Sequence, residues 1–172
     1  MIDRGALVLE AALQEGAYRG VCRPALDNWK WNHRGKGRAL NERYRDNVLE
    51  GDGVIEDLDE ALALRDEAHK LGHPGVDVIV FEVPNGPWVP GSLPVATTPP
   101  AEGMALLGWD AFELMEPWWS PLGKGADDID RAALNANGLF PGRSAAEEYA
   151  ARYAERHADE EPLVAARIWL VT

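Results

Sequence analysis

The tripeptide Gly-Lys-Gly occurs twice, at residues 35–37 and 123–125, and is the first feature of the sequence that could do chemistry. Flanking glycines free backbone N–H groups and the lysine adds positive charge, a combination able to hold a phosphate. Neither copy has the spacing of a P-loop or a Ser or Thr after the lysine. Lys36 and Lys124 are therefore candidates for a ligand site. The other interpretation is a duplicated turn that leads into a short helix.

Two pairs of residues have the four-residue spacing of metal ligands: His69 with His73, and His157 with Glu161. A glycine and a proline on either side of His73 are expected to end the first helix there, which breaks the helical spacing. A histidine at a helix C-terminus more often interacts with the last carbonyl groups. We predict no metal and no cofactor, and we retain His69 and His157 only as candidates for ligand binding.

Cys22 is the single cysteine, so no disulfide can form within the chain, which suits a reducing cytoplasm. A nucleophilic cysteine needs a nearby base, and the sequence indicates none. Carboxylates are abundant, but no spacing singles out two of them for acid and base work. The sequence therefore predicts no catalytic residue, and a role other than catalysis is favoured.

Seven tryptophans in 172 residues are unusual for a soluble chain of this size. Two clusters, Trp29 with Trp31 and Trp118 with Trp119, stand in loops rich in polar residues. Trp31 and Trp119 are expected to fill the core, whereas Trp29 and Trp118 are candidates for exposed anchors at an interface.

The charge of the chain indicates the kind of partner it would bind. Seventeen Lys and Arg residues against twenty-nine Asp and Glu residues give a net charge near −12, which repels nucleic acid and anionic membranes and attracts cations. The first sixteen residues are too short and too acidic to span a membrane. We expect a cytoplasmic protein with a basic protein partner, and the oligomeric state stays open.

The chain also resembles itself when it is shifted by 88 positions. Sixteen identities fall between residues 17 and 83 and their shifted partners, and both Gly-Lys-Gly copies are among them. The prediction is an α+β fold built from duplicated strand-helix-helix-strand units, which form one sheet covered by helices around a pseudo-twofold axis. The two halves are residues 1–84 and 103–172 of a single domain, joined by a proline-rich loop at 84–102.

The elements are predicted from hydrophobic spacing, end signals and β-branched content. Helices are expected at 57–72, where Asp57 and Glu60 form a capping box, and at 144–157, where Ser144 is the expected cap. A further helix is expected at 3–16. The predicted strands are 17–23, 76–83, 104–114 and 163–171.

The second half, over about residues 105–172, resembles the layout of immunity proteins from bacterial polymorphic toxin systems. The resemblance is carried by the stretches LLGWDAFELMEPWWSPLGKG, LNANGLFPGRSAAEEYA and LVAARIWLV. It implies a protein-binding antitoxin whose acidic face neutralises a basic toxin domain. The implied contacts are the anchors Trp29, Trp118 and Trp119 and the charged residues Asp57, Asp59 and Glu60.

The rival hypothesis is a small enzyme or a domain that binds a phosphate or a sugar between the two repeats. Under that hypothesis the side chains of Lys36, Lys124, His69 and His157 should converge on one pocket.

Overall fold

A computed structural model describes residues 7–15, 55, 57–84, 99–113, 120–124 and 128–172. These residues form an α+β structure, as predicted. The elements, in chain order, are strand β1 (Leu7–Glu15), helix α1 (Leu58–Lys70), strands β2 (Val76–Pro84) and β3 (Met104–Phe112), the short helix α2 (Pro121–Lys124), a 3-10 turn (Arg131–Ala133), helix α3 (Arg143–Arg156) and strand β4 (Val164–Val171). Within these ranges, no helix is both long and apolar enough to cross a membrane.

The four strands form one antiparallel sheet in the order β1-β2-β4-β3. The two inner strands, β2 and β4, come from different halves of the chain and pair directly from Ile79 opposite Leu170 to Glu82 opposite Arg167. Each outer strand pairs with the inner strand of its own half. The predictions of one sheet, of helices α1 and α3 and of strands β2, β3 and β4 are therefore confirmed, while the strand predicted at 17–23 lies outside the described residues.

The two long helices cover opposite faces of this sheet. Because side chains alternate along a strand, β2 directs Val78 and Val80 towards α1 and Ile79 and Phe81 towards α3. Each face then has a separate apolar core, one with α1 and one with α3. The sheet is consequently buried on both sides, which explains why β2 and β4 are almost continuously apolar.

This packing departs from the expected pseudo-twofold arrangement. An axis that relates two adjacent antiparallel strands stands perpendicular to the sheet and would place both helices on one face. Residues 88 apart also face opposite sides, since Phe81 belongs to the α3 core and Trp169 to the α1 core. The expectation of twofold packing is therefore wrong for these helices.

The helix predicted at 3–16 is also wrong, because residues 7–15 form strand β1. The segment is rich in Ala, Leu and Glu, which favour a helix locally. In the fold, however, the whole segment pairs with β2, and Ala11 and Leu13 are buried in the α1 core. Tertiary contacts have overridden the local preference.

Helix α1 begins and ends as its sequence predicts. The Asp57 carboxylate accepts hydrogen bonds from the backbone N–H groups of Asp59 and Glu60, at 2.9 and 3.4 Å. At the other end Gly72 has a φ of 94°, and the N–H of His73 donates to the Ala68 carbonyl at 3.0 Å. This is a Schellman motif, so the helix stops before His73 as expected.

Helix α3 begins at Arg143 with Gly142 as its N-cap, two residues before the predicted cap Ser144. The cap makes no side-chain hydrogen bond, so the expectation that Ser144 caps this helix is wrong. Ser144 is already inside the first turn and is exposed.

Strand β3 carries an irregularity between Leu106 and Gly108, where the loop 134–140 packs against it. The side-chain amides of Asn135 and Asn137 each donate to the Leu107 carbonyl at 2.8 Å. The loop then joins the edge of the sheet through a two-bond bridge between Trp109 and Phe140.

Candidate functional site

A buried ion pair lies at the junction of the two inner strands. The Arg167 guanidinium donates to the Glu82 carboxylate at 2.6 Å, and both residues are almost fully enclosed, at 2% and 0% exposed. The second carboxylate oxygen of Glu82 accepts a hydrogen bond from the indole N–H of Trp169 at 3.0 Å. Two strands that are otherwise nearly all apolar thus meet through one charged pair.

Two tryptophan rings flank the arginine. The guanidinium carbon of Arg167 lies 5.8 Å from the centre of the Trp109 ring and 5.6 Å from that of Trp169. A desolvated guanidinium is attracted to the face of an indole at such distances. The tryptophans therefore stabilise the charge that the sheet encloses.

This buried group does not have the exposure that chemistry on a substrate requires. Its contacts fix the register of β2 on β4, because Glu82 and Arg167 stand directly opposite each other. The sequence signal for the pair is a glutamate near the end of the apolar run VDVIVFEV and an arginine in the middle of LVAARIWLV, which sequence reasoning did not single out. Removing one partner would leave an uncompensated buried charge.

A second buried polar group involves Asp110. In the self-alignment shifted by 88 residues, Asp110 is the residue equivalent to Cys22. Its carboxylate accepts a hydrogen bond from the Ser120 hydroxyl at 2.6 Å, and that hydroxyl accepts one from the Leu122 backbone N–H at 3.1 Å. Ser120 thereby caps helix α2 and ties it to β3. Cys22 itself lies outside the described residues.

The predicted charged contacts stand together at the N-terminus of α1. Asp57 and Asp59 are exposed and Glu60 is half-buried. The Asp57 carboxylate is occupied as the helix cap, as described above. The three acidic residues thus lie within one helical turn of each other, where a helix N-terminus stabilises negative charge.

The two candidate histidines lie at the C-terminal ends of helices on opposite faces of the sheet. A ring nitrogen of His69 is 2.7 Å from the Val76 carbonyl oxygen, which joins the end of α1 to the start of β2. The His157 ring stacks on Tyr153 at 4.2 Å, and its Nδ1 lies 3.2 Å from the Glu160 carboxylate. The described residues contain no group of three or more His, Cys, Asp or Glu placed to hold a metal ion.

The remaining candidates are only partly placed. Trp29, Trp118, Trp119 and Lys36 lie outside the described residues. Lys124 is the last residue of α2, and the final glycine of the second Gly-Lys-Gly lies outside the described residues.

Two tyrosines of α3 have unusual hydroxyl groups. Burial raises the pKa of Tyr149 and Tyr153 above the ordinary value of 10.0. The neighbouring carboxylates raise it further, because the Tyr149 hydroxyl donates to Asp128 and the Tyr153 hydroxyl donates to Glu160. Both side chains thus favour the neutral phenol.

The surface of the described residues is strongly acidic. Eleven exposed Asp and Glu residues stand against four exposed Lys and Arg residues. The acidic ones are Asp57, Asp59, Asp66, Glu102, Asp128, Asp130, Glu148, Glu155, Asp159, Glu160 and Glu161, and the basic ones are Lys70, Arg131, Arg152 and Arg156.

No family model, curated protein or solved structure matches this chain.

Proposed function

We propose that the chain is a non-enzymatic protein-binding protein of the immunity class, which acts in the cytoplasm and neutralises a basic toxin domain. The observation that carries the proposal is the excess of exposed acidic over basic side chains, eleven to four in the described residues. A surface of one sign draws an oppositely charged partner and accelerates association. Acidity also disfavours nucleic acid and anionic membranes as partners.

The proposed charged contacts are Asp57, Asp59 and Glu60, with Trp29, Trp118 and Trp119 as anchors. The three acidic residues are close together at one end of α1, which is held rigidly against the sheet by its own core. Charges fixed on a rigid element lose little freedom when a partner binds. Large aromatic side chains would then supply the buried contact area that charge alone does not give.

The alternative, a phosphate or sugar site between the halves, is not advanced further. It requires His69 and His157 to converge with the two lysines, but these histidines lie at helix ends on opposite faces of the sheet. No observation on the described residues favours it over the protein-binding proposal.

Affinity capture from an extract of the source organism tests the proposal. The wild-type chain is compared with Asp57→Asn/Asp59→Asn/Glu60→Gln, in which asparagine retains the ability to cap α1. The matched control, Glu148→Gln/Asp159→Asn/Glu161→Gln, removes the same number of acidic charges elsewhere. We expect a basic protein to be retained by the wild type and the control, weakly by the α1 variant, and less by all at high salt.

Recovery of no basic protein, together with thermal stabilisation by a phosphorylated or sugar ligand, would favour the rejected alternative. Equal retention by the α1 variant and the control would keep the class of function but remove these three residues from the interface.

We also propose that the two halves derive from one duplicated strand-helix-strand unit. The order β1-α1-β2 is repeated by β3-α3-β4, and β4 begins 88 residues after β2, at the shift that aligns the sequence with itself. The outer strands begin 97 residues apart and the long helices 85 apart, so each copy has gained or lost residues elsewhere. An alignment of homologous sequences that failed to preserve the repeat would contradict this origin.

A further inference from the structure

We propose that Asn137–Gly138 is a site of spontaneous deamidation, and that hydrogen bonds between its loop and strand β3 hold the site latent in the folded protein. Asn137 is exposed, and Gly138 has a φ of 72° and no side chain to block attack on the preceding residue. The proposal is independent of the partner-binding function.

The chemistry needs only the chain and water. The backbone nitrogen of Gly138 attacks the side-chain carbonyl carbon of Asn137, and the new N–C bond replaces the bond to the amide nitrogen. That nitrogen leaves as ammonia with the proton from Gly138. Water then opens the cyclic imide to aspartate or isoaspartate at residue 137, so one negative charge is gained without any oxidant or reductant.

Hydrogen bonds restrain both groups that react in this step. The Gly138 N–H, which supplies the nucleophile, donates to the Asn135 carbonyl at 2.9 Å. The Asn137 side-chain amide, which supplies the leaving group, donates to the Leu107 carbonyl at 2.8 Å. Each bond has to break before the ring closes, so the rate depends on local opening of the loop.

Asn135 is the residue that keeps this loop closed. Its side-chain oxygen accepts from the backbone N–H groups of Asn137 and Leu139, at 2.9 and 3.1 Å. Its amide nitrogen donates to the same Leu107 carbonyl that holds Asn137. Loss of the Asn135 side chain therefore removes three hydrogen bonds around the reactive pair at once.

Deamidation would also weaken the attachment that had restrained it. A carboxylate at residue 137 has no proton to donate, so it would present an oxygen to the Leu107 carbonyl in place of a donor. The loop 134–140 would then be held on β3 by Asn135 and by the Trp109–Phe140 bridge. The first event thus promotes further loosening at this edge of the sheet.

The test follows the mass of the peptide containing residue 137 during incubation of the full chain at mildly alkaline pH. We compare the wild type, Asn135→Ala, and the free heptapeptide LNANGLF. We expect the wild type to deamidate several-fold more slowly than the heptapeptide, and Asn135→Ala to approach the heptapeptide rate. Asn135 itself precedes alanine and serves as an internal reference that should stay unmodified.

Two variants separate loop opening from general instability. Val78→Ala weakens the α1 core on the other face of the sheet and should leave the rate unchanged. Asn135→Asp retains the oxygen acceptor but loses the donor to Leu107; it should react at an intermediate rate and serves if Asn135→Ala does not fold. A wild-type rate equal to that of the heptapeptide, or equal acceleration by Val78→Ala and the Asn135 variants, would overturn the proposal.

Discussion

At the scale of single residues, the enclosed pair of Glu82 and Arg167 is the most costly feature of the sheet. Desolvating two charges is expensive, and their mutual attraction repays this only when both are present and well bonded. Arg167 donates to one carboxylate oxygen of Glu82 at 2.6 Å and Trp169 donates to the other. Both oxygens of the buried carboxylate therefore have a hydrogen-bond donor. The pair is better understood as fixing strand register than as a source of large net stability.

We expect Arg167→Met to lower the free energy of unfolding by about 3–5 kcal/mol, because Glu82 would be buried without its partner. The double variant Glu82→Gln/Arg167→Met should recover most of that loss, since glutamine is neutral and can still accept from Trp169. Urea unfolding monitored by tryptophan fluorescence measures both. If the double variant were no more stable than the single one, the loss would come from the missing attraction between the two charges and not from an unpaired buried carboxylate.

The raised pKa values of the two α3 tyrosines lead us to expect a loss of stability in alkaline solution. Their pKa values are raised in the folded state, so the folded protein retains protons that the unfolded chain releases above pH 10.0. The stabilisation is complete below that pH and is lost as the pH rises through the folded pKa values. We expect Tyr149→Phe/Tyr153→Phe to reduce the slope of unfolding free energy against pH above 10.0. An unchanged slope would contradict the assignment.

At the scale of elements, local signals predicted α1 well because its ends are encoded within a few residues. Asp57 caps its start and Gly72 its end. The same kind of reasoning failed at β1, where Ala, Leu and Glu favour a helix until pairing with β2 decides the conformation. The register that brings Glu82 opposite Arg167 is set by contacts 85 residues apart, which no local pattern specifies.

The difference between the two helix starts can be measured. Asp57→Ala should lower the free energy of unfolding by about 1 kcal/mol, because it removes two hydrogen bonds to the first turn of α1. Ser144→Ala is the matched control and should change stability little, since Ser144 is exposed and is not the cap of α3. Thermal unfolding of the two variants compares them directly. Equal losses would contradict the observed caps.

The contact between β3 and the loop 134–140 leaves no room for a side chain at Gly108. A Cβ there would stand 2.6 Å from the Asn135 amide nitrogen and 2.8 Å from the Leu139 Cβ, and the φ of 147° disfavours other residues. We expect Gly108→Ala to lower the free energy of unfolding by about 1–3 kcal/mol through overpacking. Gly75→Ala, which meets nothing within 4 Å, should be nearly neutral in the same unfolding assay.

At the scale of the whole molecule, the arrangement is a sheet with a separate core on each face and an acidic exterior. The overall class and most of the central sheet could be predicted from hydrophobic spacing, because burial on both faces produces continuous apolar strands. Which face each helix covers could not, because the apolar stripe of an amphipathic helix is the same whichever face of the sheet it covers. The proposed function rests on the acidic surface, and the sign of its charge follows from the excess of Asp and Glu over Lys and Arg in the sequence.

The association rate with the basic partner retained in affinity capture tests the central claim most directly. We predict that the rate constant falls steeply as salt is added, and that Asp57→Asn/Asp59→Asn/Glu60→Gln lowers it at low salt while the dissociation rate changes little. The matched triple variant at residues 148, 159 and 161 should behave like the wild type. An association rate insensitive to salt, or the absence of any basic protein that binds, would contradict the proposal of an acidic neutralising protein.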